Sequence, residues 1–225
     1  MKIAVLLTGN IRTWSESNLL DFVDVDVDYF ISTTNKKYNY HPFISNKFGY
    51  NEINDLIISN DEIKDMFNIN YKELIISDDD VINDNDFSIN MRNINSCYHQ
   101  FNRIKKILSY VEKHEFNEKH EFNEKYDLIV KTRLDLKYYG RLSQYLNVDN
   151  LIYTSTGNGD PNDTIIISKR DNFFNIINSL MLEFYNQIDS NSHLNPPHGL
   201  LQSMLDRFQI QNRPNNIAEI IRLKL

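Results

Sequence analysis

Apolar positions along the chain follow two rhythms. One is the short unbroken run rich in β-branched residues. Residues 2–8 are apolar from Ile3 to Leu7 and predict a first strand buried on both faces. Residues 28–33, 73–77, 128–130, 151–155 and 164–168 repeat the pattern, and residues 209–213 read as a final edge strand. The other rhythm recurs at three- and four-residue steps. Cys97, Phe101, Ile104, Leu108 and Val111 form one stripe and predict a long helix over 93–114, with Tyr98, Gln100 and Arg103 off the stripe. Phe173, Phe174, Ile177, Leu180, Met181 and Phe184 predict a second amphipathic helix over 171–188. Shorter helices are expected over 51–59, 61–67 with Asn60 as N-cap, 142–146, 200–208 and the tail to 225. Strands alternating with helices predict an α/β fold: a mixed, mainly parallel sheet flanked by helices, in one domain spanning 1–225.

Composition narrows the picture. A 41% hydrophobic chain of 225 residues can bury a core. Its net charge of -7 disfavours a general nucleic-acid binder, which needs a basic face against phosphates. The single cysteine, Cys97, rules out an intrachain disulfide and fits a reducing, cytoplasmic setting. No apolar run reaches the length of a membrane span, and the first one is far shorter than a signal-peptide core. The hexamer at 112–117 is copied at 118–123, a local duplication too short for a solenoid. Its histidines, His114 and His120, lie six residues apart and would point to different helix faces, so they read as solvated rather than as a zinc pair.

Candidate chemistry gathers at strand ends, where open α/β sheets bind ligands. After the first strand come Gly9, which lets backbone approach a ligand, and Arg12, which can fork onto a phosphate. After 128–130 comes Arg133-Leu134-Asp135, whose carboxylate suits a hard cation; by itself the motif favours a solvated pair at a strand end, and the other strand-end residues shift that weighting. Asp78, Asp79 and Asp80 end another strand and form a second candidate metal site. Asp24, Asp26 and Asp28 alternate with valine and read as a solvent face. Residues 156–163, with Asn158-Gly159 and Asp160-Pro161, read as a binding loop too long for a tight hairpin. His198 near the start of the last full helix is placed to cap it or meet a ligand.

Residues 2–13, 28–33 and 126–136, Asn162-Asp163 before a strand, and His198-Gly199-Leu200-Leu201 occur in an order that resembles the small GT-A-fold glycosyltransferases of large DNA viruses of the chlorella-virus type and of bacterial polysaccharide clusters. The resemblance implies sugar transfer from a nucleotide-sugar donor, a UDP-sugar foremost, to a glycan or glycoprotein acceptor. It also implies Mn²⁺ or Mg²⁺ on the diphosphate. Carried onto this chain, it makes Thr8, Gly9, Asn10, Arg12, Tyr98, Arg133 and Asp135 donor contacts, Asp135 the metal ligand and Asp163, ahead of Asp160, the acceptor base if configuration inverts. The usual Asp-x-Asp stands here as Arg133-Leu134-Asp135, one carboxylate instead of two. For a viral protein the setting would be host cytoplasm. The competing expectations are a nucleotide-sugar-binding relic without catalysis and a nucleotidyltransferase on a similar sheet.

Overall fold

The computed structural model describes residues 1–9, 11, 14–37, 56–77, 94–116, 125–149, 151–157, 160–189 and 197–220. Strand β1 (Ile3–Thr8) is followed by a 3₁₀ turn (Trp14–Glu16), helix α1 (Leu19–Phe22) and β2 (Asp28–Thr34). Two-residue strands β3 (Lys36–Lys37) and β4 (Leu56–Ile57) pair with each other. Then come α2 (Asn60–Met66), β5 (Tyr71–Ser77), the long α3 (Ile94–Glu115), β6 (Leu128–Arg133) and β7 (Leu136–Tyr138). A 3₁₀ turn (Leu142–Tyr145) leads to β8 (Leu151–Gly157) and β9 (Asp160–Lys169). Helices α4 (Arg170–Asp189) and α5 (Pro197–Phe208) and strands β10 (Gln211–Asn215) and β11 (Ala218–Ile220) complete the described chain.

Among the described residues the main sheet has seven strands in the order β10-β8-β9-β6-β1-β2-β5. Every neighbouring pair is parallel except the two that involve β9. The sheet is therefore mixed and mainly parallel, as the alternation of rhythms predicts. Both faces are covered. Ala4, Leu6, Phe30, Ile129, Ile152 and Ile166 meet the apolar stripes of α3, α4 and α5. Ile3, Val5, Leu7, Ile31, Leu128 and Val130 meet α1, α2, β7 and β11 on the other side. Burial on both faces explains why β1 is uniformly apolar instead of alternating. The α4 stripe is buried as expected, and Ile176 joins it. Each such side chain contributes at most roughly 1.5–3 kcal/mol.

Several expected elements differ. The helix placed over 51–59 is not formed in its described part, where Leu56–Ile57 pairs with Lys36–Lys37. Its Leu-Ile-Ile run favours an extended chain. The cap of α2 is Ser59, not Asn60. Its hydroxyl accepts from the Glu62 N–H at 3.2 Å, and the Glu62 carboxylate accepts from the Ser59 N–H at 2.9 Å, a reciprocal box that Asn60 could not close. The region read as a long binding loop belongs to two extended strands. Ser155, Thr156 and Gly157 pair with Asn162, Pro161 and Asp160, so the hairpin is tight after all. The described part of the tail holds a strand, not a helix: β11 (Ala218–Ile220) pairs antiparallel with β7, and 221–225 lie outside the described residues.

Candidate active-site crevice

The order of strands decides where a ligand can sit. From β1 the chain moves to β2 and β5 on one side, and β6 is then laid against the other side of β1. Strand order thus reverses between β1 and β6, and open α/β sheets bind ligands in a crevice beyond the carboxyl ends of the strands at such a point. Thr8, the last residue of β1, is in register with Arg133, the last of β6. The residues that sequence reading places at separate strand ends thus share one rim.

On the β1 side, Gly9 has φ +116°, where only glycine is unstrained, and a Cβ there would meet nothing within 4 Å. The requirement is therefore one of backbone conformation, not space. Gly9 N–H still donates to Ser32 C=O at 3.2 Å, while its own C=O accepts from the Thr33 hydroxyl at 2.8 Å. The chain turns off the sheet at this point with its polar groups satisfied.

On the β6 side, the turn after Arg133 is held from several directions. The Thr132 hydroxyl and Tyr138 phenol are 2.8 Å apart, and the phenol donates to Arg133 C=O at 2.9 Å. Burial, foremost, pushes the Tyr138 phenol pKa well up, so it stays a donor. The Asn18 side chain brackets the Tyr138 backbone, accepting from its N–H at 2.7 Å and donating to its C=O at 3.0 Å. Ser17 donates to Leu136 C=O at 2.8 Å, and Phe22 stacks on Tyr138 at 4.8 Å between ring centroids.

Within this turn Arg133 clasps Asp135. The Arg133 Nε donates to Asp135 Oδ1 at 2.7 Å and Nη2 to Oδ2 at 2.6 Å. The Asp135 side chain is 1% exposed and that of Arg133 30%. The pair is neither a solvated surface contact nor an open carboxylate. Its anion lies inside and its cation outside.

Sequence reading missed two further cations. Lys131 is buried two residues before Arg133, on the same face of β6, and Arg103 is buried on α3, which covers that face. The signal was present in the period of two: Ile129, Lys131 and Arg133 share a side, and a lysine on the apolar side of a strand is out of place.

The remaining expected residues are placed less fully. Asn10, Arg12 and Asp78 to Asp80 lie outside the described residues. The last three follow β5, an edge strand two places from β1. Tyr98 lies in α3, and Asp163 in β9 near the rim reached by the β8–β9 hairpin; their side chains lie outside the described part. The same holds for His198, in the first turn of α5. Asp24 is not a spare acid. It accepts from the Ser143 N–H at 2.9 Å and hydroxyl at 2.6 Å, which hold its pKa below the usual carboxylate range.

The resemblance implies a divalent ion at Asp135, and the donor set there does not fit one. Both carboxylate oxygens face a guanidinium, and a dication beside it would meet a like charge. Among the described residues no group of three or more His, Cys, Asp or Glu side chains could hold a metal.

A second polar network lies at the opposite edge of the sheet. Glu115, at the end of α3, accepts from the Arg170 Nε at 2.8 Å and Nη2 at 2.7 Å, and from the Tyr126 N–H at 3.0 Å. The Tyr126 phenol donates to Asp28 at 2.8 Å and lies 3.2 Å from His114 Nδ1. His114 is thus half-buried, not solvated; His120 lies outside the described residues. An open cavity of about 860 Å³ adjoins this edge, away from the crevice. Several charges around it are paired: Arg170 with Glu115 and Asp171, Lys169 with Asp149, and the amino terminus with Asp127.

No helix among the described residues is long and apolar enough to cross a membrane. No protein-family model matches the chain, and no curated protein matches it. Among solved structures it is similar to the galactosyltransferase LgtC in complex with donor and acceptor sugar analogs. The TM-score is 0.46 at 10% identity, over 90% of this chain and 70% of that one. An active-site mutant of LgtC gives 0.44 at 10% identity, over 90% and 69%. The apo-form glycosyltransferase GlyE of Streptococcus pneumoniae TIGR4 gives 0.44 at 12% identity, over 95% of this chain and 45% of GlyE, so the chain spans less than half of that protein.

Proposed function

We propose that the chain is a glycosyltransferase. It moves a sugar from a nucleotide-diphosphate donor, a UDP-sugar foremost, to a glycan or protein-linked acceptor. The observation that carries this reading is the register of Thr8 with Arg133 at the point where strand order reverses. It supports a donor lying across the β1–β6 crevice, with Gly9 beneath it and a guanidinium at its rim. Two of the motifs that carry the sequence resemblance include β1 and β6, the strands paired at that point.

The chemistry follows from charge. When the bond between the anomeric carbon and phosphate oxygen breaks, its electron pair stays on the diphosphate. Cations fixed beside that oxygen lower the barrier because they are already oriented when the charge develops. Arg133 and, from the segment that follows β1, Arg12 take that role in this reading. The Asp163 carboxylate removes the acceptor hydroxyl proton if configuration inverts. Thr8, Asn10 and Tyr98 complete the donor contacts in this reading.

The test is a panel of nucleotide sugars assayed for thermal stabilisation and then for transfer or hydrolysis. A ligand that binds only the native state raises the melting temperature. Asp135→Asn is expected to lose donor turnover while remaining folded. Wild-type turnover in that variant overturns the site assignment. Failure of every nucleotide and nucleotide sugar to bind favours the relic, and pyrophosphate release from a free nucleoside triphosphate favours a nucleotidyltransferase.

A further inference from the structure

We infer that the Arg133–Asp135 clasp replaces a divalent cation, so that donor binding by this chain is metal-independent. Arg133 is the residue that meets the diphosphate, and Asp135 is a positioning residue that aims it. The inference rests on the functional reading above and departs from the metal-assisted expectation of the sequence.

Three observations carry it. The first is the occupancy of the carboxylate. Mg²⁺ requires oxygens in near-ideal octahedral geometry and sheds water reluctantly. Asp135 offers it a carboxylate whose two oxygens take guanidinium N–H groups at 2.7 and 2.6 Å. The second is the order of burial. With Asp135 enclosed and Arg133 partly open, it is the positive member of the pair that solvent reaches. A guanidinium clasped along its Nε–Nη2 edge directs its Nη1 side away from the carboxylate. Its fixed fork suits phosphate oxygens better than a flexible ammonium does.

The third is the surrounding charge and rigidity. Lys131 and Arg133 lie on one face of β6, and Arg103 is buried on α3, which packs on β1 and β2 on the same side of the sheet. The Thr132–Tyr138–Arg133 chain of hydrogen bonds and the Asn18 bracket hold the turn that carries both partners. For Asp135 to swing toward a metal it would have to abandon Arg133 in a partly desolvated place, which is strongly unfavourable. No extra reactant is needed. The anomeric C–O bond breaks, its electron pair remains on the diphosphate, and Arg133 stabilises that oxygen through N–H donation.

The experiment is calorimetric titration of the full chain with uridine diphosphate and guanosine diphosphate, in excess EDTA and in excess MnCl₂. The same titrations are made with Arg133→Met, Arg133→Lys and Asp135→Asn, each checked for a native circular dichroism spectrum. The wild type is expected to bind one of the two nucleotides with affinities within about threefold in the two buffers. Arg133→Met is expected to weaken binding about tenfold or more in both buffers, the loss of charge-assisted bonds to phosphate. Arg133→Lys falls between, because it keeps the charge and loses the fork. The losses from Arg133→Met and Asp135→Asn should be non-additive in the double variant, a coupling that general destabilisation would not produce.

Nucleotide binding by the wild type only with Mn²⁺ overturns the inference and leaves the functional reading standing. So does an Arg133→Met variant that keeps or gains Mn²⁺-dependent affinity, since removing the guanidinium would then have opened a metal ligand. Absence of nucleotide binding in both buffers overturns the inference and the functional reading together. The wild-type comparison of buffers decides the matter even if every substitution at Arg133 unfolds the chain.

Discussion

Glu115→Ala tests whether the edge opposite the crevice is held by its buried ion pair. Glu115 is 1% exposed and Arg170 13%. The substitution removes two charge-assisted bonds from Arg170, at 2.8 and 2.7 Å, and the acceptor of the Tyr126 N–H at 3.0 Å. Breaking a buried pair by deleting one partner typically costs about 3–5 kcal/mol, because the other charge is left in the interior. Arg170 keeps two contacts: Asp171 at 2.9 Å and the Phe174 ring, 4.2 Å from its guanidinium carbon. The lower end applies, so the expected loss is about 3 kcal/mol, or a fall in Tm of roughly 6–12 °C for a chain of this size. The internal control is Asp171→Ala. It touches the same guanidinium, but Asp171 is 80% exposed, and the expected cost is below about 0.5 kcal/mol. Urea denaturation at pH 7 followed by circular dichroism measures both, with similar m-values required for the comparison. A loss below about 1 kcal/mol for Glu115→Ala, or equal losses for the two variants, would refute the argument from burial.

His114 has its pKa lowered, mainly by desolvation. Lys2 and Lys72 add to the lowering, and Asp28 and Glu115 oppose it. The unfolded chain therefore binds the proton more readily, so this residue's contribution is present above the unfolded pKa and is lost as pH falls through about 6.5. His114→Gln should narrow the stability difference between about pH 5.5 and about pH 7.5, and superimposable urea midpoints for variant and wild type at both pH values would sink the assignment. Deleting 118–123 removes one copy of the hexamer and keeps His114 and Glu115, which make the contacts described; Tm should shift by no more than about 3 °C, whereas a drop beyond about 8 °C would mean that the second copy is needed. Gly9→Ala meets no steric obstacle at φ +116°, so its cost is backbone strain alone, about 1–3 kcal/mol in urea denaturation, and an unchanged midpoint would contradict the stated role of the glycine.

Patterning along the chain determined the layers of this protein. A period of two or an unbroken β-branched run states whether a strand is covered on one face or both, and a period of three to four states which side of a helix is apolar. These signals are local, so β1, β2, α3 and α4 were legible nearly to their ends, while β6, read as 128–130, runs on through Lys131 and Thr132 to Arg133. The hairpin of β8 and β9, the strand β11 and the cap Ser59 were misread because each depends on a partner supplied by another segment or by a competing neighbour. The same division runs through the site. Arg133 and Asp135 stood out in the sequence as charges at a strand end, a description that fits a solvated pair and also admits a metal site. The tertiary structure shows a third arrangement, a buried carboxylate clasped by a partly open guanidinium, and sets it up through residues distant in the chain. Strand order laid Thr8 beside Arg133, and Asn18, 120 residues earlier, fixed Tyr138 and with it the turn. Whether a carboxylate is available to a cation depends on what else competes for its oxygens and on how much water reaches it. Both are properties of the packed molecule that no pattern along the chain contains.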